Sequence, residues 1–214
     1  MASDTIPARR ERAALCDLFA ELGPDQPTLC GDWTTRDLAA HLVVRERRPD
    51  AAIGIIVSKA AGYTDKVQSD VAKTEWGKLV DTVRSGPPFW SPTKIGKIDE
   101  LANTVEFFVH LEDVRRAQPT WEPRELDDDL TTALYGVLGK MAKRLVKNSP
   151  VGIVLEPDDD HEPIVAKQAE PSVTVRGPVG ELVMFVYGRQ AHSSVEVSGD
   201  DDSVAAVNAA SFGI

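Results

Sequence analysis

Residues 105–113 read VEFFVHLED, inside an apolar run from Ile98 to Ala117 whose spacing predicts one long helix. Its apolar stripe is Ile98, Leu101, Ala102, Val105 and Val109. At about 100° per residue, Glu106, His110 and Asp113 fall within ~60° of arc on the flank of that stripe. Glu106 and His110, four positions apart, stack one turn from each other on one face. Two readings follow. The pair is an ordinary hydrogen-bonded contact on a partly exposed face, or it is part of a cation site to which a neighbouring helix adds a ligand.

Toward the N-terminus the helical period recurs. Leu15, Phe19 and Leu22 mark a helix from Ile6 to Leu22 that Gly23-Pro24 ends, and DQPTLCGDW is a loop. WTTRDLAAHLVVRERR opens with Thr34 as N-cap and Asp37 three residues on, the pattern of a capping box, and runs to Pro49. A short helix over Asp50–Ala60, one helix across DKVQSDVAKTEWGKLVDTVRS, a rigid GPPFWSP loop and a helix over Leu130–Val146 complete the helical part. Long helices with short connections predict an up-and-down bundle.

The pattern changes at Asn148-Ser149-Pro150. VGIVLEP, PIVAKQ, SVTVR and SSVEVSG are short, Val-rich and bounded by polar turns, so they read as strands. GPVGELVMFVYGR is a helix with Pro178 at its first position and Gly188 just past its end, and Asp200–Asp202 open a last helix at its positive end. The expected fold class is therefore α+β, a four-helix bundle over 1–149 followed by a small α/β domain over 150–214.

Composition narrows the function classes. Apolar residues make up 42% of the 214, charged residues 27%, and the formal net charge is −10. These are the proportions of a globular protein with a sizeable core, and the acidity argues against a nucleic-acid surface. No apolar run is long enough to span a bilayer, no signal peptide is visible, and the two cysteines, Cys16 and Cys30, form no CxxC pair. The expectation is a cytoplasmic protein without membrane or nucleic-acid partners.

Four histidines occur, and His41 lies between Leu38 and Leu42 on the inward arc of the second helix. A His, Glu, His set suits a divalent cation such as Zn²⁺ and leaves one position for water or substrate. The alternative is that His41 is a satisfied core histidine. Asp113 either orients an imidazole or pairs with Arg116 or Arg45. His161, in PDDDHEP, belongs to an exposed turn, and Cys30 reads as a small buried apolar residue.

The segment LCGDWTTRDLAAHL resembles the helix-entry motif of the mycothiol-dependent maleylpyruvate isomerase N-terminal family, a DinB-like metalloprotein family. VEFFVHLEDVRRA resembles its second metal motif, and GELVMFVYGR with VEVSGDD is similar to the C-terminal domain that accompanies the bundle. The resemblance implies a DinB-like bundle with metal ligands His41, Glu106 and His110. It implies Zn²⁺ or another divalent ion as cofactor, a low-molecular-weight thiol such as mycothiol as co-substrate, and a small electrophilic substrate. It also implies an assisting arginine from the C-terminal domain, for which Arg189 is the candidate. Arg45, one turn after His41, is a second candidate, to hold an anionic substrate. The implied activity is a metal-dependent thiol S-transferase or isomerase, and a homodimer is compatible with it. A metal-binding regulatory or stress-response module, and a helical interaction protein with a structural polar cluster, are the competing classes.

Overall fold

A computed structural model of the chain describes residues 6–56, 61–88 and 97–213. The end of the expected GPPFWSP loop, at 89–92, and the expected last residues of the short helix, at 57–60, fall outside the described residues; so do the side chains around Ile98. The fold is α+β, an all-helical N-terminal region followed by a mixed sheet-and-helix region. Backbone contacts divide it into two compact units, Met1–Trp121 and Glu122–Ile214.

The first unit holds α1 (Pro7–Leu22), α2 (Thr35–Arg47), α3 (Pro49–Ile56), α4 (Ala61–Ala72), α5 (Trp76–Ser85) and α6 (Lys97–Arg116). α1 packs on α6 and α5, while α2 packs on α4, α3 and α5. Four of these helices share one core: Leu15 and Phe19 of α1, Leu38 and Leu42 of α2, Leu79 and Val83 of α5, and Phe107 and Leu111 of α6 are all buried. Each such side chain contributes about 1.5–3 kcal/mol by leaving water, and together they fix which face of α2 and α6 turns inward.

Local chemistry sets the helix ends. α2 starts with the full capping box: the Asp37 amide donates to Thr34 Oγ1, and the Thr34 amide donates to the Asp37 carboxylate at 3.0 Å. Where one helix was expected over 65–85, the structure has two. Glu75 breaks the run by turning its own carboxylate onto the amides of Gly77 and Lys78, at 2.9 and 3.0 Å, and so caps α5.

The second unit holds α7 (Asp128–Leu145), β1 (Gly152–Pro157), β2 (Ile164–Lys167), β3 (Ser172–Gly177), α8 (Val179–Val186), β4 (Glu196–Ser198) and α9 (Asp201–Ala209). All four expected strands are present, in the sheet order β2-β1-β3-β4, with β1 parallel to β3 and the edge strands antiparallel. α7, expected as a bundle helix, packs on α8 and β2 and groups with the sheet in the unit that starts at Glu122. Every residue of α8 is buried, including Glu181, whose carboxylate accepts the Ser194 amide at 2.7 Å. Its C-terminus closes with the Arg189 amide on Met184 O and the Gly188 amide on Phe185 O. Gly188 has φ 87°, and a Cβ there would stand 2.7 Å from Phe212 O, so glycine is needed for both reasons. Pro178 sits at the N-cap, one position before the expected one.

Candidate metal centre

α2 and α6 present their polar residues to each other at one place. Glu106 Oε1 stands 3.5 Å from His41 Nε2 and 3.4 Å from His110 Nε2. The two imidazoles, from different helices, meet edge to face with centroids 5.4 Å apart. One ligand atom from each residue lies within 4.8 Å of the others. His41 and His110 are largely buried, whereas a quarter of the Glu106 side chain remains exposed. A core-facing pair therefore opens to solvent at its carboxylate.

The residues around this trio settle its charge. Arg45 Nε reaches the same Glu106 oxygen at 3.1 Å, and its Nη1 donates to Asn103 Oδ1 at 2.8 Å, so the guanidinium is fixed against α6. Burial alone would raise the Glu106 carboxyl, but the Arg45 charge and hydrogen bonds from both imidazoles hold it well below the usual carboxylate range. Burial lowers His41, against its hydrogen bond to Glu106. His110 goes the other way: burial works to lower it, yet hydrogen bonds with Asp113, Cys30 and Glu106 carry it well above the ordinary imidazole value. The surroundings thus favour the carboxylate form of Glu106, the neutral form of His41 and the protonated form of His110.

Asp113, fully buried, accepts from His110 Nδ1 at 3.0 Å. Of the two pairings considered from the sequence, this orients the imidazole; Arg116 is engaged instead with Glu112, at 2.7 Å. Cys30 departs from its expected role. It is partly exposed, its Sγ–H donates to Asp113 Oδ2 at 3.1 Å, and it stands 3.8 Å from His110 Nδ1. The reason is the loop: the Leu29 amide donates to Asp113 O at 3.0 Å, which pins the chain around Cys30 to α6. Trp33, from the same loop, lies against the His41 ring at 5.1 Å. Trp33 and Asn103 were missed as neighbours of the site, and Cys30 was read only as a small buried apolar residue. Only Asn103 had a readable signal, its three-residue spacing from Glu106 on one helix face.

Two further candidates belong to the second unit. Arg189 belongs to the second unit, just past α8, where its Nη1 donates to Tyr187 O at 2.6 Å. His161 bonds Asp159 at 2.8 Å and stacks on Tyr135 at 4.2 Å.

Residues 7–88 match the family of the mycothiol maleylpyruvate isomerase N-terminal domain. That stretch includes His41 and Arg45 but ends before Glu106 and His110. The fold carries the likeness further. Over 91% of this chain and 91% of the other, it is similar to the crystal structure of the mycothiol-dependent maleylpyruvate isomerase, with a TM-score of 0.63 at 13% identity. A histidine-to-alanine mutant of that isomerase aligns over the same shares with a TM-score of 0.62 at 12% identity. No curated protein matches the chain. Residues 7–88 thus match that domain family, and at such identities the structural likeness speaks for the fold alone. Among the described residues no helix is long and apolar enough to cross a membrane.

Proposed function

We propose that His41 Nε2, Glu106 Oε1 and His110 Nε2 hold one divalent ion, and that the protein uses it as a thiol-dependent transferase or isomerase acting on a small electrophile. The observation that carries this is a spacing. Ligand atoms about 2.1 Å from a tetrahedral ion stand about 3.4 Å from one another, and the carboxylate oxygen lies 3.5 and 3.4 Å from the two imidazole nitrogens. Two imidazoles and a carboxylate are a donor set suited to zinc, with one position left for a reactant. When bound, such an ion lowers the pKa of a coordinated thiol or water and so supplies a nucleophile at neutral pH.

The chain's own residues do the rest. Glu106 is already ionised, so it needs to lose no proton to serve as a ligand. His110 gives up its Nε2 proton, while Asp113 keeps the Nδ1 proton in place and the ring in register. Arg45, beside the exposed edge of Glu106, offers its charge to an anionic substrate group. Arg189 is proposed, on the resemblance alone, as the cation that stabilises negative charge developing on the substrate carbonyl. The match of residues 7–88 to that domain family and the likeness in fold support mycothiol as the thiol.

The test is elemental analysis of protein purified without a polyhistidine tag, followed by a mass-spectrometric screen for mycothiol conjugates with a panel of electrophiles. One zinc per chain and a conjugate formed only by the metal-loaded protein are expected. Metal without any conjugate would favour a binding module with no turnover. Full metal retention in His41→Ala would overturn the ligand set.

A further inference from the structure

We propose that Cys30 Sγ, His110 Nδ1 and Asp113 Oδ2 form a second, thiolate-containing cation position behind the His110 ring. One atom from each residue falls within 4.8 Å of the others. The separations are 3.1 Å between sulfur and carboxylate, 3.8 Å between sulfur and imidazole, and 3.0 Å between imidazole and carboxylate. A tetrahedral ion with ligand distances of about 2.3 Å to sulfur and 2.1 Å to nitrogen and oxygen needs roughly 3.6 and 3.4 Å. Shifts of about half an ångström reach that geometry, once the hydrogen bonds that now draw the atoms together lose their protons to solvent.

The position is assembled in advance. Thr28 Oγ1 accepts the Cys30 amide at 3.1 Å and donates to Trp33 O at 2.8 Å, and the Leu29 amide holds Asp113 O. These bonds set the loop, and so the thiol, against α6. A mixed sulfur, nitrogen and oxygen set selects zinc or cadmium over magnesium or calcium. The partial exposure of Cys30 gives an ion access. This goes beyond the proposed function: the first site uses the Nε2 edge of His110 and leaves the Nδ1 proton on Asp113, whereas filling the second position as well releases that proton to solvent and makes His110 a bridging imidazolate.

Cadmium titration of the untagged full chain tests it, because a thiolate ligand gives a charge-transfer absorption in the near ultraviolet that histidine and carboxylate ligands do not. Wild type and His41→Ala should both develop the band. Cys30→Ser should lose it while still binding cadmium at the first site, with its fold checked by circular dichroism. Absence of the band in wild type, or its survival in Cys30→Ser, would overturn the proposal. A Cys30-dependent band with cadmium stoichiometry unchanged by His41→Ala would uphold this position and remove the first one.

Discussion

Two polar sets that span helices of the first unit differ in kind. In one, Arg12 of α1 lies against Glu46 of α2, with Nη1 2.8 Å from Oε2 and Nη2 hydrogen-bonded to Oε1. The same guanidinium donates to Val83 O of α5 at 2.8 Å and stacks over the Phe107 ring of α6 at 4.1 Å. One cation there meets one carboxylate at both oxygens, and the set ties four helices together. In the other, a single oxygen of Glu106 receives Arg45 and both His41 and His110, in a place where Glu106 stays a quarter exposed. The first set is matched in charge and geometry. The second gathers more donors around one oxygen than it needs, which suits a place that exchanges protons for a cation.

Removing an imidazole should produce the largest contrast. His110→Ala should lose the metal altogether, by elemental analysis, yet keep a cooperative unfolding transition, because Glu106 retains Arg45 and His41 as partners. Undiminished metal in that variant would erase the distinction between the sets. Glu46→Ala should do the reverse. It strands the Arg12 charge in the core and should cost about 3–5 kcal/mol in urea denaturation, while the protein that remains folded keeps its full metal content. A loss below about 1 kcal/mol would mean that the pair is not the tie its contacts suggest.

Asp113→Ala sharpens the comparison one step further out. It removes the acceptor for His110 Nδ1 and for the Cys30 thiol without touching a ligand of the first site. Such partners of ligand imidazoles are typically worth about 10–100-fold in metal affinity, a smaller effect than loss of the imidazole itself. Competition with a chromogenic chelator measures it, and equal affinities for variant and wild type would reduce Asp113 to a buried acceptor.

The two sets also differ in how much of them could be read from the sequence. Glu106 and His110 were legible because a helix converts a four-residue spacing into proximity, and His41 because its neighbours Leu38 and Leu42 point α2 inward. Arg12–Glu46 was not: 34 positions separate the two, and an arginine and a glutamate on amphipathic helices look like surface residues. Cys30 was misread for a related cause, since its place depends on a loop amide reaching Asp113 O across 84 positions. At the level of the fold, the capping box of α2 and the Gly188 end of α8 follow from local chemistry. The break at Glu75 was hidden because glutamate is an unusual N-cap. The stripe of α7 told that it buries a face, but not that the sheet would cover it.

The smallest expected effect concerns the cysteines, one on the core of the matched set's helix and one beside the candidate centre. Cys16 is fully buried, and burial pushes its thiol up to about 11, in spite of Arg84 and Arg12 nearby. At pH 8 roughly one Cys16 in a thousand is then a thiolate, the form that reacts with alkylating agents. Cys30 is partly exposed, in a loop held by side-chain and backbone bonds rather than by core packing. Iodoacetamide at pH 8 should therefore give a single adduct in the native protein, mapped by peptide mass spectrometry to Cys30, and a second only after denaturation. Raising the pH toward 11 increases the Cys16 thiolate fraction but not its access, so Cys16 should stay unlabelled for as long as α1 remains packed on α5 and α6. Labelling of Cys16 before unfolding would show that this core opens more readily than its packing implies.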